Sequence, residues 1–460
     1  MAERVSLEES LNKIVKRRMK EAPEYRKYSG KESLEKITRS DLEDFQLFQL
    51  RNTLHYVYEK SLFYRELFNK KGIEPGEVQS LADLARLPLT APEELAEKPL
   101  RFLCVPLGEV TRVITFTSSG TTGPQKRIFF SEKDVEVITD FMGAGMNVVA
   151  TSDDVVQIML PKGPVLGQAD LLARGVVKMG ATPVTTGTEP TPEEQIQTIE
   201  RHGSTVLFCE TLRFNRITVA AKNNHDLTKL GVKALFLTSN YLSDSMRANL
   251  QSAWNCEIFT HYGLTEMGLG VAVECLAHNS YHLDEADLLA EIIDLETGEV
   301  LPGGEEGELV FTTLTREAMP LIRYRTHDIS RLSSKPCECG ITTLKKLDRT
   351  TRRLESAVRI GEGDEIYPAM FDEALYAIPD IVGYEVSIGN DGVKDSLTFQ
   401  VEIVRQGAAV EELVREVILK VPPVQKNVKM GKMTLPDIQL VTPGSLRKST
   451  RAKKLIKDMR

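Results

Sequence analysis

The chain has 460 residues, 41% hydrophobic and 27% charged, and its 58 Lys and Arg against 66 Asp and Glu leave a formal charge of −8. That length allows about two to four domains around substantial cores, which excludes whole-chain disorder. The mild acidity argues against a dedicated nucleic-acid binder, and no apolar stretch approaches the roughly 18 residues of a membrane span.

The first twenty residues are amphipathic and charged, without the apolar centre of an export signal. Six cysteines, Cys104, Cys209, Cys256, Cys275, Cys337 and Cys339, are too sparse for a disulfide scaffold and fit a reducing cytoplasm. Residues 1–100 read as helical, with Phe45, Phe48, Leu50, Leu54, Val57 and Tyr58 at three- and four-residue spacing. From about Val110, β-branched runs such as VITFT, RIFF, VVQIML, STVLF and CEIFTHY alternate with amphipathic segments, the pattern of a mostly parallel, helix-covered sheet. Ser131 with Asp134, and Thr191 with Glu194, match the capping box that starts a helix. After Gly270 the punctuation turns to hairpins, as in 292–313. From about Arg349 a strand pair around Asn390-Asp391-Gly392, an amphipathic helix over 408–421 and a further strand form a small α+β unit. The expected fold class is therefore α/β. A large N-terminal body (residues 1–347) carries mostly parallel helix-covered sheets and an antiparallel subdomain, and a small α+β C-terminal domain (348–460) follows a hinge between Leu347 and Leu354.

Between the runs VITF and RIFF lies Thr115-Phe-Thr-Ser-Ser-Gly-Thr-Thr-Gly-Pro-Gln-Lys126. Gly120 and Gly123 let the backbone approach a ligand, Ser118, Ser119, Thr121 and Thr122 supply donors, and Lys126 adds positive charge, the parts of a phosphate cradle. It lacks the glycine spacing of a P-loop and of a nucleophile elbow. A polar hairpin turn is the alternative, and the loop alone does not choose between them.

The company of this loop makes the choice. S-S-G-T-T-G-x-x-K resembles the phosphate-binding motif of the adenylate-forming superfamily, His261-Tyr-Gly-Leu-Thr-Glu266 resembles its Y-G-x-T-E motif, and Leu321-Ile-Arg-Tyr-Arg-Thr-His-Asp328 its R-Y-x-T-x-D motif, in the same order. Tyr58–Arg65, Leu81–Thr90, Gly270–Cys275, Ile329-Ser-Arg-Leu332 and the Cys337-Glu-Cys-Gly340 turn extend the resemblance to the phenylacetate–CoA ligase branch over nearly the whole chain.

The resemblance implies that a carboxylic acid is joined to AMP and then passed to a thiol. It puts the loop from Thr117 to Lys126, with Thr121 as a catalytic contact, on the β- and γ-phosphates of ATP. Glu266 would coordinate Mg²⁺, Gly263 and Thr265 complete that motif, Tyr262 offers a ring to adenine beside Ser239 and Asn240, and Asp328 holds the ribose hydroxyls. Arg349 aligns with an arginine near the hinge, but Asp348-Arg-Thr-Thr-Arg352 departs from the family's pattern, and Arg352 and Arg353 remain alternatives. The adenylation lysine is expected at Lys453, reached with one residue of slip, with Lys448 and Lys454 as competitors.

Cys337 and Cys339, with Cys275 and His282, make a three-thiol, one-imidazole set suited to a closed tetrahedral zinc. His278 could replace His282, and reduced loop cysteines are the alternative reading. The acid should lie between the loop, Leu160–Gln168, Phe208 and the neighbourhood of Met267. The leading expectation is a cytoplasmic aryl- or arylalkanoate–CoA ligase working through acyl-AMP. Its partners would be a small carboxylic acid, ATP and coenzyme A, with no nucleic acid or membrane and a homodimer left open. The alternatives are an adenylating enzyme with a carrier-protein, amine or cofactor-hydroxyl acceptor, and a nucleotide-binding homologue that has lost catalysis.

Overall fold

The computed structural model describes residues 3–29, 36–116, 125–350, 352–446 and 456–460. Two compact units emerge, each discontinuous in sequence: Met1–Asp154 with Lys162–Pro183 and His261–Arg349, and Val155–Pro161 with Val184–Thr260 and Thr350–Arg460. Among the described residues no helix is long and apolar enough to cross a membrane.

The first unit begins with the expected helices, Leu7–Glu21, Pro23–Ser29, Arg39–Lys60 and Leu62–Lys71. Their ends are written locally: Thr38 and Asp41 form a reciprocal capping box, and Gly72 closes a helix at φ 64°. Arg112–Phe116 and Lys126–Phe130 pair as an antiparallel hairpin that sets Lys126 opposite Phe116. Helix Glu132–Met146 follows, capped by Ser131 and Asp134 as expected. It packs on Gln168–Lys178 through glycines, since a Cβ on Gly175 would lie 2.9 Å from Gly143 N.

Strands Leu288–Ile293, Glu306–Thr313 and Tyr324–Ser333 make an antiparallel meander that continues through Lys346–Leu347, Tyr281–Leu283 and Ala272–Glu274 to the end of strand Glu257–Tyr262. The hairpins expected after Gly270 are these strands. A single apolar core joins the N-terminal helices to this sheet, from Leu50, Leu54 and Tyr64 to Phe311, Ile322 and Leu347.

In the second unit Val155–Met159, Val206–Glu210, Ala234–Thr238 and the part of strand Glu257–Tyr262 up to Thr260 form the expected parallel sheet. Val206–Glu210 and Ala234–Thr238 are buried at every residue, the signature of strands covered on both faces. Helices Pro192–His202, Thr211–Ala221 and Asp244–Trp254 intervene between them. The same unit holds a four-stranded sheet in the order Asp437–Val441, Asp395–Ile403, Ile381–Asn390, Ile456–Asp458, with helices Pro368–Leu375, Ala408–Leu419 and Pro422–Lys429. The predicted Asn390-Asp391-Gly392 turn joins its central strands, with Gly392 at φ 92°. Asn215 Nδ2 donates to Ile381 O at 3.0 Å and Arg216 meets Glu402 at 2.9 Å.

One buried network ties helix Glu132–Met146 to the segment that leads into strand Tyr324–Ser333. Asp134 accepts from Ser131 N (3.0 Å), Glu317 N (2.7 Å) and Ala318 N (2.9 Å), and lies 3.9 Å from the buried Arg316 guanidinium. Arg316 in turn stacks 4.8 Å over the Phe130 ring. Asp134→Ala would strand a buried arginine and leave the amides of Ser131, Glu317 and Ala318 unanswered. Equilibrium urea unfolding should then show a loss of about 3–5 kcal/mol; a loss below about 1 kcal/mol would contradict this account.

Candidate functional site

The Y-G-x-T-E motif closes strand Glu257–Tyr262 and turns sharply, and its glycine is dictated by space: a Cβ on Gly263 would sit 2.1 Å from Leu269 O. The turn sends Glu266 into the interior. Arg323 and His327 both adopt positive φ, 47° and 60°, on either side of Tyr324 and Thr326. Arg323 is held by the carbonyls of Ala85 and Leu87 and by Glu291 at 3.0 Å, and His327 N by Glu308 at 3.0 Å. Such strained positions persist only where surrounding structure fixes them, and they cluster at binding sites.

Lys126, Glu266 and Tyr324 converge. Lys126 Nζ lies 3.1 Å from Glu266 Oε1 and 3.1 Å from the Tyr324 hydroxyl, which itself donates to Glu266 Oε1 at 2.8 Å. All three are buried. Burial alone would raise the Glu266 carboxyl, but the Lys126 charge, a backbone hydrogen bond and the Tyr324 hydroxyl hold it below its ordinary value. A second tyrosine–carboxylate bond runs alongside, from the Tyr262 hydroxyl to Asp328 Oδ2 at 2.5 Å. Tyr262 pairs with Asp328 and Glu266 with Tyr324, so each segment gives one tyrosine and one acid, and the two are laced antiparallel. The Tyr262 ring also stacks on Phe311, with centroids 6.3 Å apart.

Several expected residues thus come together, while Tyr324 was legible only as one letter of a motif. Arg349 is half-buried at the last position of the first unit. In the second unit Ser239 and Asn240 follow strand Ala234–Thr238, with Ser239 at φ 75° and the turn pinned by the Thr211 hydroxyl on Thr238 O and Asn240 O. Ser118, Ser119, Gly120, Thr121, Thr122 and Gly123, and the candidate lysines Lys448, Lys453 and Lys454, lie outside the described residues.

The second cluster is the cysteine–histidine set. The Cys337–Gly340 turn, closed by Gly340 N on Cys337 O at 3.0 Å, brings its sulfurs to Cys275, at the end of strand Ala272–Glu274, and to His282 of strand Tyr281–Leu283. All four donor atoms lie within 4.8 Å of one another, with Cys275 Sγ 3.7 Å from Cys337 Sγ and Cys339 Sγ 3.4 Å from His282 Nε2. A tetrahedron with bonds of about 2.3 Å has edges of about 3.7 Å, so the spacing suits one zinc. Burial lowers the His282 imidazole to about 4 and keeps it in the neutral, ligating form. His278 instead turns its Nδ1 to Glu274 at 3.2 Å.

Comparison with known proteins matches residues 76–314 to the AMP-binding enzyme family. The chain is 32% identical to the phenylacetate–coenzyme A ligase of Aromatoleum evansii, over 81% of this chain and 84% of that protein. It is 31% identical to the phenylacetate–coenzyme A ligase of Thermus thermophilus, over 80% and 83%. In fold it resembles the crystal structure of a 2-hydroxyisobutyryl-CoA ligase, with TM-score 0.78 and 19% identity over 91% of this chain and 90% of that one.

Lys126→Met would leave the Glu266 carboxylate buried without its cation, a loss of about 3–5 kcal/mol at neutral pH. The sign with pH follows from linkage. The depressed carboxyl adds stability above its ordinary value of 4.5 and loses it as pH falls through the lower folded-state value. The gap in unfolding free energy between wild type and Lys126→Met should therefore be widest above about pH 5 and narrow on acidification. A gap independent of pH would contradict the ion pair.

Proposed function

The chain belongs to the AMP-binding enzyme family, and from that premise we propose that it is an AMP-forming acid–coenzyme A ligase acting on an aryl or arylalkanoic acid. An oxygen of the acid's carboxylate attacks the α-phosphorus of ATP, the bond to the β-phosphate oxygen breaks, and pyrophosphate leaves. The thiolate of coenzyme A then attacks the acyl carbonyl and AMP departs. The observation that carries the reading is the buried Lys126–Glu266–Tyr324 cluster with the Tyr262–Asp328 bond beside it, in a chain 32% identical to a phenylacetate–coenzyme A ligase.

Bringing an anionic acid to an anionic nucleotide is chiefly a problem of positioning and charge. Ser118–Gly123 and Lys126 receive the β- and γ-phosphates. Asp328, oriented by the Tyr262 hydroxyl, accepts from the ribose hydroxyls. Glu266 fits Mg²⁺, being a hard oxygen donor kept ionised, and the ion would neutralise phosphate charge when bound. Arg349 contacts ribose and phosphate, and Lys453, or Lys448 one alignment gap away, stabilises the adenylation step. Residues 348–460 act as a mobile domain turning about the Leu347–Leu354 hinge between the two half-reactions. Cys275, His282, Cys337 and Cys339 hold a structural zinc, which with six free cysteines favours a reducing cytoplasm.

Pyrophosphate release across a panel of aromatic acids, with and without coenzyme A, tests the reading. Acid-dependent release followed by thioester formation is expected. Release without thioester would move the acceptor to an amine, a hydroxyl or a carrier protein, and no release with any acid would contradict the reading. Metal analysis after chelator-free purification should give one zinc per chain, lost in Cys339→Ser. Metal-free protein with four titratable, unprotected donor groups would remove the zinc.

A further inference from the structure

Under the reading above, on which this inference rests, Lys126 and Glu266 have separate duties, one toward phosphate and the other toward a divalent cation. In the structure they answer each other instead. Lys126 Nζ points at Glu266 Oε1 and at the Tyr324 hydroxyl, each 3.1 Å away, and its charge also faces the Phe116 and Tyr324 rings, with centroids at 6.0 and 5.8 Å. Among the described residues it is the only cation paired with Glu266.

When Lys126 turns to a phosphate, the buried carboxylate is left without its countercharge, a cost relieved when another cation replaces the lysine. It would also lose one of its two side-chain anchors on Oε1. The other is the Tyr324 hydroxyl at 2.8 Å. That phenol is fixed: Tyr324 is 1% exposed, and the residues just before it are pinned by Tyr64 on Ile322 N at 2.8 Å and by Thr312 on Arg323 N at 2.9 Å.

We propose that Lys126 is exchanged between Glu266 and nucleotide phosphate, a divalent cation taking its place on Glu266, and that Tyr324 is the positioning residue that keeps the carboxylate aimed during the exchange. Loading of nucleotide and of metal are then coupled, because each becomes easier once the other has drawn its partner out of the ion pair. The neutral phenol orients the carboxylate without competing for its charge, as outer partners of metal ligands commonly do.

ATP binding measured by calorimetry across a Mg²⁺ series, with no acid present, tests the proposal. Tyr324→Phe removes one oxygen and keeps the packed ring. The Mg²⁺ concentration for half-maximal ATP binding should rise about tenfold, while the rate of pyrophosphate release at saturating Mg²⁺ falls by a smaller factor. In Glu266→Gln, where no carboxylate holds Lys126, metal-free ATP should bind more tightly than to wild type and Mg²⁺ should add little. An unchanged Mg²⁺ requirement in Tyr324→Phe overturns the proposal, as does equal loss of affinity at every Mg²⁺ level, the mark of a merely structural tyrosine. Metal-free ATP binding to Glu266→Gln no tighter than to wild type overturns it as well, and decides alone if Tyr324→Phe does not fold. Wild-type protein that binds Mg²⁺–ATP but turns over no acid counts against the functional reading only, whereas protein that binds no ATP counts against both.

Discussion

Taking a carboxylate out of water costs several kcal/mol unless a cation faces it, and Glu266 is buried with one such cation, Lys126, 3.1 Å away. Much of the first unit's local geometry follows from keeping that pair aligned. The hairpin sets Lys126 opposite Phe116, the last pair before the connection between its strands. The glycine turn at Gly263 carries Glu266 inward, and the strained backbone at Arg323 delivers the Tyr324 hydroxyl to the same oxygen. Removing one partner leaves the others as a liability, and this conditional stability lets a ligand exchange partners within the site.

The surrounding network explains how loops of such different origin stay in register. The Tyr262–Asp328 and Tyr324–Glu266 bonds lace the motif turn to the head of strand Tyr324–Ser333 in antiparallel order. Behind them Asp134 fastens the helix that follows the Lys126 strand to the backbone of Glu317 and Ala318. On the same sheet the cysteine–histidine cluster sits where short strands meet: His282 lies opposite both Val273 and Lys346, and Leu347 opposite Tyr281 and Leu332. Two- and three-residue strands bury little, so a metal clip there would supply what their length does not.

Much of this was legible in the sequence because its signals are local. The capping boxes at Ser131–Asp134 and Thr191–Glu194 and the Asn390-Asp391-Gly392 turn appear where their side-chain chemistry requires. The change from alternating strand and helix to hairpins after Gly270 likewise marks a real change of architecture. The motif residues Glu266, Tyr262 and Asp328 could be named, but not that each acid pairs with a tyrosine of the other segment, since those contacts span 58 and 66 residues. Cysteine and histidine types were visible, and their convergence depended on long-range strand pairing that spacing does not encode. Asp134 reads as an ordinary cap from its neighbours alone; its bonds to Glu317 and Ala318, 183 and 184 residues away, come only with the fold.

The central claim, that one buried lysine is exchanged between Glu266 and nucleotide phosphate, is met most directly by a crystal structure with ATP and Mg²⁺ bound. The account predicts Lys126 Nζ on a phosphate oxygen, the cation on Glu266, and the Tyr324 hydroxyl still within hydrogen-bonding distance of the carboxylate. An intact Lys126–Glu266 pair beside fully bound nucleotide would contradict it.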